Sequence, residues 1–99
     1  MNISQDIQDW AEHLGLDLLS TGGGFDYVFR KLADGDKECD VIVVCRERDG
    51  SPVDLDEPAC LNFYLDENWT DYISIPFRSA RAAMTAMAGL ADHIPDKSY

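Results

Sequence analysis

Residues 59–77 read ACLNFYLDENWTDYISIPF and contain two alternating apolar runs joined by a short polar connection. The alternating apolar side chains of the two runs are Leu61, Phe63, Leu65, Ile73, Ile75 and Phe77. A period of two is typical of β-strands that bury one face, so strands are predicted at residues 59–65 and 72–77. The connection at residues 66–71 is too short for a crossover, and antiparallel pairing is therefore expected.

Further strands are predicted upstream of this pair. Residues 41–45 (VIVVC) form a β-branched run, and residues 25–32 alternate between aromatic and polar side chains. A stretch rich in Gly and Asp at residues 33–37 predicts the turn between them, and the polar residues 46–58 predict a turn followed by a loop. Whether the short apolar piece at residues 16–19 forms a strand stays open, so the prediction is four or five strands.

A helix is predicted near each end of the chain. The N-terminal apolar stripe, with spacings of four, three and four, consists of Ile3, Ile7, Trp10 and Leu14. Asn2 or Ser4 is expected to cap this helix and Gly15 to close it. Ser79 is the expected cap of the second helix and Pro95 its end. The stripe of the second helix consists of Ala80, Ala83, Met84, Met87, Ala91 and Ile94.

These elements predict a single α+β domain over residues 1–99. The expected order is α-β-β-β-β-α, with an antiparallel four- or five-stranded meander sheet. Short loops favour this pairing, and the N-terminal and C-terminal helices are expected to pack on one face. A length of 99 residues is that of one domain.

The sheet face turned away from the helices is predicted to be unusually apolar. It is expected to carry Cys60, Tyr64 and Tyr72, together with either Ile42 and Val44 or Val41, Val43 and Cys45. Aromatic side chains exposed in one patch are typical of an interface, either with a partner or with a second copy of the chain. The alternative is a solvent-facing surface with scattered apolar groups, which small proteins commonly have.

Charge is the strongest signal in the composition. Nineteen Asp and Glu face eight Lys and Arg, which gives a net charge of −11 at pH 7. Such a charge repels nucleic acid and anionic membranes and attracts basic surfaces, so no direct nucleic-acid or membrane binding is expected. The N-terminal residues do not resemble a signal peptide, and no apolar run is long enough to cross a bilayer. A cytoplasmic location is therefore expected.

Two stretches resemble ligand-binding loops only in part. Glycines at 22–24 lead into a strand and lack the following Lys of a phosphate-binding loop, so a turn is the better interpretation. Alternating acids at residues 34–40 resemble the start of a calcium loop, but Cys39 and Cys45 stand where that loop needs Gly and a bidentate Glu. No metal site is predicted, although a weak cation site at residues 34–40 stays open.

The cysteines and histidines show no catalytic pattern. The odd number of thiols, without paired spacing, predicts reduced and partly buried side chains for Cys39, Cys45 and Cys60, with one disulfide as the alternative. His13 and His93 fall near the C-termini of the predicted helices, where the helix dipole stabilises a cation. Neither has a recognisable catalytic partner, so we expect neither an enzyme nor a cofactor.

The carboxylates gather at the ends of the predicted strands. The first group is Asp34, Asp36, Glu38 and Asp40, the second is Asp54, Asp56 and Glu57, and the third is Asp66, Glu67 and Asp71. Because alternate loops of a meander lie at the same edge, two of these groups are predicted to form one negative rim. The expected aromatic anchors beside the rim are Tyr64, Trp69 and Tyr72.

A rigid row of carboxylates resembles a phosphate backbone electrostatically and would bind a protein groove built for nucleic acid. The leading hypothesis is a stoichiometric inhibitor that occludes a basic, nucleic-acid-binding surface of a partner protein. In size and charge the chain is similar to small acidic phage and mobile-element proteins that block host defence nucleases, including anti-CRISPR inhibitors. The alternatives are a homodimeric accessory domain that uses its apolar sheet face, and acidity that serves only solubility or life at high salt.

Overall fold

The computed structural model describes residues 4–20, 25–47 and 50–92. Two helices and five strands follow one another as α1 (Gln5–Leu14), β1 (Asp17–Ser20), β2 (Phe25–Asp34), β3 (Lys37–Cys45), β4 (Ala59–Tyr64), β5 (Tyr72–Phe77) and α2 (Ala80–Ala88). Each strand pairs antiparallel with the next, so the sheet order is β1-β2-β3-β4-β5. The predicted α+β meander is confirmed, and the apolar piece at 16–19 contributes to a fifth strand. Neither described helix is long and apolar enough to cross a membrane.

The strand register places one row of apolar side chains under both helices. Val43 lies opposite Leu61, and Leu61 lies opposite Ile75, so these three side chains point to the same face. Helix α1 packs on β1 and β2, and α2 packs on β3, β4 and β5. Burial of Val43 and Leu61 with the rest of the core is the main stabilising contribution to the fold, whereas Ile75, on the edge strand β5, stays 41% exposed. The buried core contains Ile7, Ala11, Val28, Leu32, Cys39, Val41, Val43, Ala59, Leu61, Phe63, Ala80, Ala83, Met84 and Met87.

Helix α1 has the two caps that its sequence predicts. The Ser4 hydroxyl accepts a hydrogen bond from the Ile7 N–H at 3.3 Å, which pairs one of the free donors of the first turn. At the other end Gly15 has a φ of 75°, a conformation that favours glycine, and the Leu16 N–H donates to the Ala11 carbonyl at 2.9 Å. Asn2 and Ile3 lie outside the described residues.

Helix α2 begins at the predicted cap Ser79 but ends earlier than predicted. Its last residue is Ala88, so Ala91 lies beyond the helix, and Ile94 and Pro95 are outside the described residues. Gly89 caps this end, and its N–H donates to the Ala86 carbonyl at 3.1 Å. Arg30 contributes as well: its Nη1 donates to the Met87 carbonyl at 2.7 Å and to the Ala88 carbonyl at 3.2 Å. A cation that pairs these carbonyls substitutes for a further helical turn.

The β3–β4 connection is bonded to the start of α2. The Ala80 N–H donates to the Glu57 carbonyl at 2.7 Å, and the Arg81 N–H donates to the Leu55 carbonyl at 2.9 Å. These bonds pair two donors of the first helical turn, which have no partner within the helix. The connection therefore lies against the helix-covered side of the molecule and leaves the opposite side of the sheet uncovered by either helix.

Candidate protein-binding site

The open face, the side of the sheet opposite the helices, carries the alternate row of side chains. Phe29 lies opposite Ile42, and Ile42 lies opposite Asn62, so these three residues share this face. The register also assigns Val44 to it and leaves Val41, Val43 and Cys45 on the helix side, which decides between the two alternatives for the central strand. The open face includes Tyr27, Phe29, Ile42, Val44, Cys60, Asn62, Tyr64 and Tyr72, and the same register adds Lys31, Asp40, Ser74 and Pro76.

Three aromatic side chains, Tyr64, Trp69 and Tyr72, lie together at one edge of the open face and form the aromatic patch. Tyr64 is the cross-strand neighbour of Tyr72, with ring centroids 5.4 Å apart and an interplanar angle of 46°. The Trp69 ring stacks on Tyr64 with a centroid separation of 4.6 Å and an angle of 12°. Tyr72 is 47% exposed, so the patch presents an aromatic surface to solvent.

A hydrogen-bonded turn positions Trp69. The Asp66 carboxylate accepts hydrogen bonds from the backbone N–H groups of Thr70 at 2.9 Å and Asp71 at 3.0 Å, and also from the Thr70 hydroxyl. These bonds, the Thr70 hydroxyl first, lower the pKa of Asp66 because they stabilise its charged form. The turn holds Trp69 at a φ of 57°, which residues other than glycine rarely adopt. Asp66 therefore stabilises the turn that positions Trp69.

Asp40 connects the aromatic patch to the acidic residues. Its Oδ2 accepts a hydrogen bond from Trp69 Nε1 at 2.9 Å, and its Oδ1 lies 3.6 Å from Lys31 Nζ. Lys31 Nζ also lies 3.5 Å from Glu38 Oε2, and the two carboxylates, Asp40 first, raise the pKa of Lys31. Sequence reasoning missed Lys31. If a two-residue hairpin turn had been assumed at residues 35–36, the pairing would have placed Lys31 opposite Asp40. The observed register has this pairing.

The β2–β3 turn and the β4–β5 connection lie at the same end of the sheet and border an acidic cleft of about 440 Å³. Beside Lys31, the acidic cleft is lined by Asp36, Glu38, Asp40, Tyr64, Asp66 and Glu67. With Asp34 and Asp71, this end carries seven carboxylates against two lysines, Lys31 and Lys37. The first and third acidic groups of the sequence are thus brought together, as the meander predicted.

The second acidic group lies at the opposite end of the sheet and organises the β3–β4 connection. Glu57 accepts a hydrogen bond from the Cys45 thiol at 3.0 Å and another from the Val53 N–H at 2.9 Å. Asp54 accepts from the Asp56 N–H at 2.9 Å. These carboxylates accept hydrogen bonds from neighbouring residues of the chain, and they lie far from the acidic cleft. The second acidic group therefore stabilises the β3–β4 connection.

A shallow groove of about 510 Å³ runs along the open face and meets the acidic cleft at Tyr64, which lines both. Asn62 lines the groove and is only 9% exposed. Its Nδ2 donates to the Tyr64 hydroxyl at 3.0 Å, whereas no group in the described part of the chain donates to its Oδ1. Sequence reasoning missed this residue, since its isolated polar position in a strand looks like an ordinary surface residue.

The described thiols are all free, with Cys39 and Cys45 buried and Cys60 half-buried on the open face. Burial raises the pKa of Cys39 to about 11, and the neighbouring Asp40 charge adds to the effect. Cys45 faces the helices whereas Cys60 faces away from them, so the two thiols lie on opposite sides of the sheet. Among the described residues, no three His, Cys, Asp or Glu side chains are grouped so as to hold a metal ion.

Comparison of this chain with protein-family models, with curated proteins and with solved structures finds no match.

Proposed function

We propose that this chain is a non-catalytic protein-binding module whose partner presents a basic surface. The binding surface is the acidic cleft together with the aromatic patch. The supporting observation is the position of Tyr64, which lines the acidic cleft and the groove, so that carboxylates and aromatic rings form one continuous surface. Carboxylates steer and orient a basic partner, and Tyr and Trp are enriched among residues that dominate binding energy.

The basic surface is proposed to be one that otherwise binds nucleic acid. A groove that binds duplex phosphates is matched to about one negative charge per 1.7 Å, and the seven carboxylates at one end of this small domain supply concentrated negative charge to such a groove. The chain would occupy such a groove in stoichiometric amounts and exclude nucleic acid. By size and charge, this proposal fits phage or mobile-element counter-defence, of which anti-CRISPR inhibition is one form.

Affinity capture from a candidate host lysate tests the proposal. The tagged chain is incubated at low and at high salt, and bound proteins are identified by mass spectrometry. We expect a nucleic-acid-binding protein that is captured at low salt and released at high salt, because ions screen exposed charge pairs. The purified partner should then release labelled nucleic acid when one equivalent of the chain is added, which fluorescence anisotropy measures.

Two charge-reversal double variants localise the binding surface. Asp36→Lys with Glu67→Lys reverses two charges of the acidic cleft, and Glu12→Lys with Glu47→Lys changes the net charge equally at exposed positions elsewhere. Only the first variant should lose the partner. Equal loss of partner binding in both variants would mean that binding depends on net charge alone. Recovery of only the chain itself, regardless of salt, would overturn the proposal.

Self-association through the open face is the second candidate function. The observation in its favour is Tyr72, which is 47% exposed beside apolar side chains of the open face. A dimer held by this face would be nearly indifferent to salt, because apolar burial does not depend on charge screening. Light scattering should then show a dimer that Tyr64→Asp with Tyr72→Asp converts to a folded monomer. A native monomer would exclude this candidate.

A further inference from the structure

We infer that the groove on the open face binds an arginine side chain of the basic partner, an inference that rests on the proposed function. Three features of the groove support it: a buried acceptor without a donor among the described residues, aromatic rings at the groove's edge, and an acidic cleft that continues from one end. Each feature selects one property of the ligand. Together they select a planar cation that donates hydrogen bonds.

The buried acceptor is Oδ1 of Asn62. The side chain is 9% exposed and lines the groove, and its Nδ2 is already bonded to the Tyr64 hydroxyl at 3.0 Å. Within residues 4–20, 25–47 and 50–92, no donor reaches Oδ1. Buried polar atoms are almost always paired, because removing one from water without a replacement bond is costly. Oδ1 is itself shielded from solvent, so an N–H donor that enters the groove would satisfy this atom once the neighbouring side chains move aside.

The aromatic patch selects the shape of that donor. Tyr64, Trp69 and Tyr72 all line the groove, and the 47% exposed Tyr72 presents the most accessible ring of the three. A guanidinium is planar, weakly hydrated and stacks on aromatic rings, while its N–H groups donate outward in the plane of the guanidinium itself. A lysine ammonium is a compact and strongly hydrated point charge. The groove is therefore expected to distinguish arginine from lysine.

Charge selects a cation over a neutral or anionic planar group. At the Tyr64 end the groove opens onto the acidic cleft, where Asp40 lies beside the aromatic patch. Arg46 lines the groove at the opposite end, beyond β3, and repels a cation from that side. A nucleobase has the right shape, but its attached phosphates are repelled by a chain with a charge of −11. An arginine of a basic protein meets all three requirements.

Two fluorescently labelled peptides of equal length and charge, one of Gly-Arg repeats and one of Gly-Lys repeats, test the inference by anisotropy titration. The native chain should bind the Arg peptide about fivefold more tightly, the order expected for one stacked guanidinium. Tyr72→Ala and Asn62→Leu should each bring the two affinities together without changing that of the Lys peptide. Val53→Ala, at an exposed position outside the groove, is the matched control and should keep the native ratio.

Thermal unfolding establishes that each variant is folded, and Tyr72→Ala carries the test alone if Asn62→Leu does not fold. Equal affinities of the native chain for both peptides would overturn the groove inference and leave the proposed function standing. No binding of either peptide at low salt would overturn both. A preference for arginine that persists in the folded variants would place its origin outside the groove and would also overturn the inference.

Discussion

Trp69 donates its indole N–H to the carboxylate of Asp40 across 2.9 Å and thereby joins two residues that are 29 positions apart in the chain. Trp69 belongs to the β4–β5 connection and Asp40 to β3, so this bond holds the connection against the sheet. Lys31 approaches the other oxygen of the same carboxylate at 3.6 Å. The aromatic patch and the acidic cleft consequently have a fixed relative position, which the proposed binding surface requires.

Replacing Trp69 with Phe removes the indole donor and keeps a ring that can stack on Tyr64. We expect the free energy of unfolding to fall by about 1 kcal/mol, the usual net contribution of one hydrogen bond. Urea unfolding followed by circular dichroism measures this change. Asp40→Ala and the double variant complete a cycle, in which the double variant should lose less than the sum of the singles. Strict additivity would show that the two side chains are not coupled.

Replacing Arg30 with Met should destabilise the C-terminal end of α2. The Met87 and Ala88 carbonyls then lose their charged donor, and we expect a loss of about 1–2 kcal/mol in the free energy of unfolding. Amide exchange in the last turn of α2 should accelerate as well. Arg78→Met removes an equal charge from an exposed position and should leave both quantities unchanged. Equal effects of the two substitutions would contradict the capping role.

The three thiols should react in an order set by their burial. Cys60 is half-buried on the open face and should be modified first by a thiol reagent at pH 8, whereas Cys39 should stay protected until the chain unfolds. The kinetics of labelling, followed by mass spectrometry of native chain and Cys60→Ser, measure this order. Rapid labelling of Cys39 in the native chain would contradict the burial of β3.

The raised pKa of Cys39 has a further consequence at high pH. Its folded pKa of about 11 lies above the ordinary value of 9.0, so folding favours the protonated thiol. This contribution to stability is complete below about pH 9 and is lost as the pH rises through about 11. Urea unfolding between these pH values should show a decline that is smaller in Cys39→Ala. An identical decline in both proteins would show that the loss of stability comes from titratable groups other than Cys39.

Asp66 should titrate below its ordinary value of 3.8, because three hydrogen bonds stabilise its carboxylate. Its contribution to stability is present above that value and is lost as the pH falls through the lowered pKa. The pKa of Asp66 is measured by NMR from its carboxyl chemical shift as a function of pH. Thr70→Val removes the largest cause and should raise the pKa of Asp66, while Thr85→Val, in α2, should not. An unchanged Asp66 pKa in Thr70→Val would contradict the role of the hydroxyl.

Local signals in the sequence account for most of the elements. Alternation predicted β2, β4 and β5, and the positions of Ser4, Gly15 and Ser79 predicted three helix ends, because caps depend on bonds within one helical turn. The end of α2 was predicted wrongly. Gly89 directly follows the last helical residue and caps the helix, so a local stop signal was present and the prediction passed over it. The bonds from Arg30 to the last carbonyls could not be read locally, because Arg30 lies 57 positions away from Met87.

The sequence by itself determined the class of the fold and the two acidic groups that share one end of the sheet, because periodicity, turn residues and antiparallel pairing are short-range effects. Only the tertiary structure decided that Ile42 and Val44 face away from the helices, since a shift of one residue in register would exchange the two faces. It also decided that Trp69 donates a hydrogen bond to Asp40 and that no donor in the described part of the chain reaches Oδ1 of Asn62. These relationships depend on the packing of segments that are distant in the chain. Whether a polar atom has a hydrogen-bond partner is decided by neighbours that only the folded chain brings together.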